Sequence, residues 1–339
     1  MNEIEALLIL NHVPGMGPVR VRKLIEQMGS MRAAAERWEK ETAWRRDLEC
    51  AEKEGVTLIP FTDARYPAAL LQLADFPTLL YVKGELPEGK ALGIVGTRQC
   101  THYGRDMAEN IAEEIAAAGV TVVSGLARGI DTAAHMGALK SGRTVAFIGS
   151  GLADLYPKEN AQLAEQIAKR GAVVSELPMR TPPDRHHFPR RNRLISALSH
   201  GVLLVEGPLK SGGMITMQMA ESQGKICFAL PGRADIDSFR GNHSLIKEQK
   251  ARLVENGQEM LSILLPDGFR LTPKKEFALF DVEQEERELL AFLSAEERSL
   301  EDLSAETDLP VAKLSALLMK LVLKQRVRQL PGKLYQRIS

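Results

Sequence analysis

GIVGTRQCTHYG, residues Gly93–Gly104, is the stretch from which the rest of the chain can be read. An apolar run, Ala91 to Val95, ends at Gly96 and leads into a helical pattern. A buried strand that stops at glycine and turns into a helix opens many nucleotide-binding α/β domains. A dinucleotide loop carries G-x-G-x-x-G, so that bare backbone can approach a pyrophosphate. This loop has one glycine followed by Thr97 and Arg98. No nucleotide cofactor is expected. A guanidinium there can hold a phosphate bidentately and stays charged at any relevant pH. The alternative is a structural ion pair with a helix end.

The same texture continues outward. Between Gly55 and Gly232 apolar runs recur: VTLIPF, TLLYVKG, ALGIVG, VTVVSG, RTVAFIG, GAVVSE, GVLLVEG and KICFALPG. Helical periods separate most of them, at Arg105–Ala118, Ala127–Lys140, Lys158–Arg170 and Met214–Gln223. Continuous apolar strands alternating with helices predict a mainly parallel sheet covered on both faces. Residues 1–54 read as helices, and LNHVPGMGPVRVRKLIEQMGS resembles a helix-hairpin-helix. Its glycine turn either offers amides to a phosphate or simply packs two helices tightly. A polar linker is expected at 266–280, with Pro266, Gly268 and Pro273. Beyond it, 281–339 has the element order of a winged helix.

Composition excludes little and localises much. The 339 residues carry 44 Lys+Arg against 44 Asp+Glu, so a polyanion partner must be argued from clusters rather than from net charge. MRTPPDRHHFPRRNR holds Arg180, Arg185, Arg190, Arg191 and Arg193 against Asp184 alone. DVEQEERELLAFLSAEERSLEDLSAETD has eleven acids and two bases, and the following LMKLVLKQRVRQLPGKLYQRIS has six bases and no acid. The three cysteines are far apart and suggest neither a disulfide framework nor a zinc site. No basic leader or membrane-length apolar run is read, and the cytoplasm is the expected setting.

The strand ends carry the chemistry. They offer Gly96, Thr97 and Arg98; Ser124, Gly125 and Gly129; an arginine cluster around Phe188; and Lys210, Ser211, Gly212 and Gly213. Small residues at helix N-termini present unpaired N–H groups and the positive end of the dipole to an anion. Several such loops on one sheet edge, interleaved with cations, describe a groove for several phosphates. Phe188 either stacks a base or pins its loop into the domain. Asp131 and His135, four apart on a helix, suggest acid–base chemistry less than a capping Asp and a packed His. His186 and His187 have no partner set for a metal, Cys100 reads as incidental, and no catalytic or metal site is expected.

VGTRQCTHYG, VVSGLARGIDTAAH, FPRRNRLIS, KSGGMIT and ALPGR, in this order, resemble the DNA-processing protein A family, also called DprA or Smf. The resemblance covers nearly the whole chain. It implies a Rossmann-like DNA-binding domain at 55–265, a helical helix-hairpin-helix or SAM-like domain at 1–54, and a winged-helix domain at 281–339. It further implies a single-stranded DNA-binding protein that protects incoming DNA and loads RecA in natural transformation and homologous recombination. No cofactor or catalysis is implied. DNA-contacting positions would be Gly96, Thr97, Arg98, Ser124, Gly125, Arg185, Phe188, Arg191, Asn192, Arg193, Lys210, Ser211 and Gly212. Of the three residues in the R-N-R run, one arginine is expected to meet phosphate and the other to hold the fold. Homodimerisation is expected near the C-terminal end of the sheet, at Leu245 and Ile246. Gly207, His243 and the segment KEQKARLV depart from the family pattern and bear on that surface more than on the phosphate loops.

Two rival functions remain open on sequence. A nucleotide phosphoribohydrolase would carry P-G-G-x-G-T-x-x-E, but SGGMITMQM has Ser211, Ile215 and Met219 where the proline, third glycine and glutamate belong. Methionine cannot act as an acid or a base. A winged-helix regulator would read bases from Val311–Lys324, whose polar side chains are only Lys313, Ser315, Lys320 and Lys324. A docking or accessory role suits that domain better.

Overall fold

The helical start of the chain shares its core with the sheet that follows. In the computed structural model, which describes residues 1–38, 42–265, 283–294, 296–324 and 326–337, the chain begins with α1 (Glu3–His12), α2 (Pro18–Met28), α3 (Met31–Glu36) and α4 (Ala43–Lys53). Asn2 and Glu5 form a reciprocal capping box that starts α1. Ala6 to Leu10 are all buried, because α1 packs on α3, α4 and the first strand. Arg20 donates to the Gly15 carbonyl at 2.8 Å across the α1–α2 turn, where Gly15 has φ +74°. Leu58, Leu79, Tyr81 and Met179 join these helices in one cluster, so 1–54 is continuous in packing with the sheet.

The eight apolar runs become β1 (Val56–Pro60), β2 (Leu79–Gly84), β3 (Ala91–Val95), β4 (Thr121–Ser124), β5 (Thr144–Phe147), β6 (Ala172–Ser175), β7 (Gly201–Leu204) and β8 (Ile226–Ala229). Helices α5 (His102–Ala117), α6 (Ile130–Ser141), α7 (Ala161–Arg170), α8 (His187–Leu198) and α9 (Gly212–Ser222) lie between them in sequence, and α10 (Arg240–Lys247), the two-residue β9 (Arg252–Leu253) and α11 (Gly257–Leu264) follow. The sheet order is β1-β2-β6-β5-β4-β3-β7-β8-β9, parallel from β6 to β9, with β1 and β2 antiparallel at one edge. Alternation along β3 sends Leu92 and Ile94 toward α5, α6 and α11, and Ala91 and Val95 toward α8, α9 and α10. Both faces are covered, which is why these strands read as unbroken apolar runs.

Two helices start away from their expected positions for identifiable reasons. Thr101 accepts from the Gly104 amide at 3.0 Å, which begins α5 three residues early. Gly129, at φ +74°, holds the chain against the Thr97 carbonyl and delays α6 to Ile130.

Backbone contacts divide the chain into Met1–Phe269 and Arg270–Ser339. The linker expected at 266–280 lies outside the described residues. The second unit comprises α12 (Gln284–Phe292), β10 (Arg298–Ser299), α13 (Leu300–Thr307), α14 (Val311–Leu323), β11 (Val327–Leu330) and β12 (Leu334–Arg337), with sheet order β10-β12-β11. Its core is Leu289, Leu290, Leu314, Leu318, Leu321 and Tyr335. This is the winged-helix arrangement that the element order predicts.

Candidate nucleic-acid interface

The loops that leave β3, β4, β5 and β7 meet over the carboxyl edge of the sheet and enclose a cleft of about 860 Å³. Strand order reverses at β3, which lies between β4 and β7, and open α/β sheets bind ligands at such a point. Gly96, Thr97, Arg98, Gly125, Arg185, Phe188, Arg191, Asn192, Lys210, Ser211 and Gly212 all line the cleft. Sequence reasoning missed Arg128 and Tyr156, which line it too. Among the described residues that line it, the cleft has five cationic side chains, Arg98, Arg128, Arg185, Arg191 and Lys210, of which Arg128 is paired with Glu159, against the single carboxylate of Asp131.

Not every helix end near the cleft is open. At α5 the Glu206 carboxylate, fully buried, accepts from the Thr101 amide at 3.0 Å and the Thr101 hydroxyl at 2.8 Å. Gly104 makes room for it, since a Cβ there would lie 2.0 Å from Glu206 Oε2. At α6 the Asp131 carboxylate accepts from the Ala127 amide at 3.3 Å. Burial pushes the Asp131 carboxyl up, against the pull of Arg191. These two ends therefore hold anions supplied by the chain. The Thr97 amide is also committed, to Glu206 O at 2.7 Å, and its hydroxyl accepts from Gln99 N at 3.2 Å. The first loop thus offers the Arg98 side chain, with the Thr97 and Gln99 amides already taken. At α9 the Ser211 hydroxyl caps Met214 at 3.3 Å, and the Gly212 and Gly213 amides precede any intrahelical acceptor. With exposed Lys210 beside them, they are the helix end in the cleft whose N–H groups an anion could reach.

The arginine cluster is divided between the cleft wall and the scaffold. Arg191 is buried, donates to the carbonyls of Gly125 and Phe147, and bonds Asn192 Oδ1 at 3.1 Å. Burial pushes its guanidinium down to about 10, so it remains a cation at neutral pH. Asn192 in turn donates to the Gly212 carbonyl at 3.3 Å, tying α8 to the start of α9. Arg193 departs from the expected site. It lies outside the cleft lining, hydrogen-bonded to Glu176 at 2.6 Å and ion-paired with Asp75 at 2.9 Å, with its side chain 8% exposed. Arg190 pairs with Glu176 at 3.1 Å. Ser124 is likewise off the wall, fully buried, its hydroxyl donating to Ile94 O at 2.6 Å. A buried strand-end serine with its own acceptor has nothing left for a ligand. Leu245 is 6% exposed and belongs to the core under α10, with Ile246 half-buried against it. Leu245 therefore contributes to packing within the chain rather than to a free surface.

The aromatic part of the cleft is built from the loop after β5 and the first turn of α8. Phe188 and Tyr156 have ring centres 5.8 Å apart at 54°, and the Arg98 guanidinium lies 5.2 Å from the Phe188 centre. Gly149 gives the Phe188 edge its space, since a Cβ there would come within 2.9 Å of the ring. The signal available in sequence was a tyrosine before proline in a strand-end loop, DLYPKEN.

A family model for DNA recombination-mediator protein A matches residues 57–265, and one for the DprA winged helix domain matches 273–333. The chain belongs to the DprA/Smf family. Protein Smf of Escherichia coli is 38% identical over 284 residues, covering 81% of this chain and 76% of that protein. The crystal structure of DprA from Streptococcus pneumoniae superposes with a TM-score of 0.66 at 31% identity, over 77% of this chain and 98% of that one. DprA from Helicobacter pylori, studied for its single-stranded DNA binding mode, gives 0.57 at 30% identity, over 63% and 97%. The DprA/Smf membership places the phosphate-type loops within the matched span.

Among the described residues that line the cleft, the phosphoribohydrolase acid has no counterpart. Ile215 and Thr216 line the wall, Met219 does not, and Asp131 is committed to its cap beside Arg191. His135 is fully buried with Nδ1 2.7 Å from the Thr144 hydroxyl, as a packed histidine. In the winged-helix unit, Lys313, Lys320 and Lys324 pair with Glu285 (2.8 Å), Glu283 (3.2 Å) and Glu286 (2.7 Å) of α12. The exposed residues of α14 are Val311, Ala312, Lys313, Ala316, Met319, Lys320 and Leu323, whose polar side chains are the two lysines already paired with Glu285 and Glu283. Among the described residues, no helix is long and apolar enough to cross a membrane.

Proposed function

We propose that the cleft binds single-stranded DNA. Backbone phosphates would sit at Arg98, Lys210 and the Gly212–Gly213 amides, and a base would stack on the aromatic pair. The observation that carries this reading is the cleft's composition: five cations, one committed carboxylate and two adjoining rings at the carboxyl edge of the sheet. The relative from Helicobacter pylori, described as a single-stranded DNA binder, supports it. Phosphate contacts and stacking carry the binding in this reading, and both are sequence-tolerant. As the family resemblance implies, the protein acts as a homodimer in the cytoplasm, protects incoming strands and delivers them to RecA, without catalysis of its own. The test is a fluorescence titration with single-stranded and duplex oligonucleotides of equal length at two salt concentrations. Single strands bind more tightly, and their affinity falls steeply with salt through counterion release. Equal affinity for both forms refutes the reading.

A further inference from the structure

The N-terminal helices reach the cleft through one buried carboxylate. Asp47, on α4, is 6% exposed. Its Oδ2 accepts from the Tyr81 hydroxyl at 2.6 Å, and His12 Nε2 lies 3.8 Å from the same oxygen. Its Oδ1 accepts from the backbone amide of Met179 at 2.7 Å. A buried carboxylate is tolerated only with such donors, so this contact fixes Met179 firmly.

Met179 stands at the foot of the segment that climbs from β6 to Phe188. Its carbonyl accepts from the Ala153 amide at 2.9 Å, and the Thr181 carbonyl accepts from Gly151 at 2.8 Å. Gly151 permits this closeness, because a Cβ there would lie 2.1 Å from Met179 O. The loop after β5, which carries Tyr156, and the segment before α8, which carries Phe188 into the cleft, are therefore laced together. Both are fastened to Asp47 at Met179.

We infer that Asp47 is a positioning residue for the aromatic wall: by holding Met179 it fixes the two loops that set Tyr156 against Phe188, so a helix outside the cleft governs base stacking within it. The inference rests on the single-stranded DNA reading of the cleft. No residue of 1–54 lines the cleft among those described, so any effect of Asp47 on the ligand runs through these loops.

The experiment compares labelled oligothymidylate with an abasic strand of the same length, using the full chain and the variants Asp47→Ala, Asp47→Asn and Tyr81→Phe. The parent prefers the base-bearing strand. Asp47→Ala lowers oligothymidylate affinity about tenfold, a stacking-sized loss, and leaves abasic affinity and the salt slope unchanged. Asp47→Asn keeps an oxygen for the Met179 amide and restores the preference. Tyr81→Phe breaks the other bond and leaves the preference at the parent value. A parent that binds neither strand overturns the reading of the cleft. A parent that binds both equally removes the aromatic wall, and an undiminished preference in Asp47→Ala overturns the role of Asp47 alone. Should Asp47→Ala fail to fold, hydrogen exchange in the unaltered chain decides. By linkage, oligothymidylate but not the abasic strand slows exchange at Met179, Gly151 and Ala153, and unchanged exchange overturns the inference.

Discussion

The guanidinium of Arg98 lies over the ring of Phe188, 5.2 Å from its centre, at the mouth of the cleft. A cation and an aromatic face attract each other, so each holds the other in place. A phosphate that takes Arg98 leaves the ring free for a base. Arg98→Ala weakens single-strand binding by about 1.5–3 kcal/mol, ten- to a hundredfold. The salt slope becomes shallower by roughly 0.7, and the melting temperature moves little because Arg98 is exposed. A double-mutant cycle with Phe188→Ala gives a non-zero coupling. An Arg98→Ala protein that melts many degrees lower yet binds as before would make Arg98 scaffold.

Arg191 behaves differently. Its removal leaves Asp131 and the carbonyls of Gly125 and Phe147 without their cation. Arg191→Ala costs about 1–3 kcal/mol in urea unfolding, the range for leaving buried acceptors without their donor. A loss below about 1 kcal/mol, with binding abolished, would instead make Arg191 a phosphate ligand.

His135 supplies a pH signature. The Thr144 hydroxyl donates to Val122 O at 2.8 Å, so it accepts from His135 Nδ1–H, which sets the tautomer. Burial pushes the imidazole down to about 3. In the unfolded chain it titrates near its ordinary value of about 6.5. Between these values the unfolded state binds the extra proton, so stability is lost as pH falls, by about 1.4 kcal/mol per unit. His135→Gln is less stable at pH 7 but loses less on acidification. Parallel pH profiles for parent and variant would contradict this assignment.

The lysines of α14 are expected to be silent. Lys313→Ala with Lys320→Ala removes exposed pairs with Glu285 and Glu283, worth about 0–1 kcal/mol each. Gel shifts with single strand and with duplex are unchanged. A large drop in duplex affinity alone would show that α14 reads DNA.

Much of this was legible in the residues. The runs from VTLIPF to KICFALPG became β1–β8, since strands buried on both faces leave an unbroken apolar trace. Thr97 and Arg98 were legible because they follow the end of β3, and Lys210 and Gly212 because they lie at the start of the helix after β7. Two-residue β9 left no such trace. Nor does a row of arginines say which ones find acids: Glu176 and Asp75, distant in sequence, claim Arg193, and the same distance hid Asp47 from Met179. Tyr156 was passed over because one aromatic in a turn looks the same whether it faces solvent or a partner ring.

Glu206 has a further consequence. The amino end of α5, where proteins of this general build seat the pyrophosphate of a soluble cofactor, is filled by a carboxylate that cannot diffuse away. ATP and NAD are abundant in any cell, and an open site of that kind would be saturated by them. With its own tethered carboxylate in that seat, the protein has no room for a nucleotide pyrophosphate at the amino end of α5.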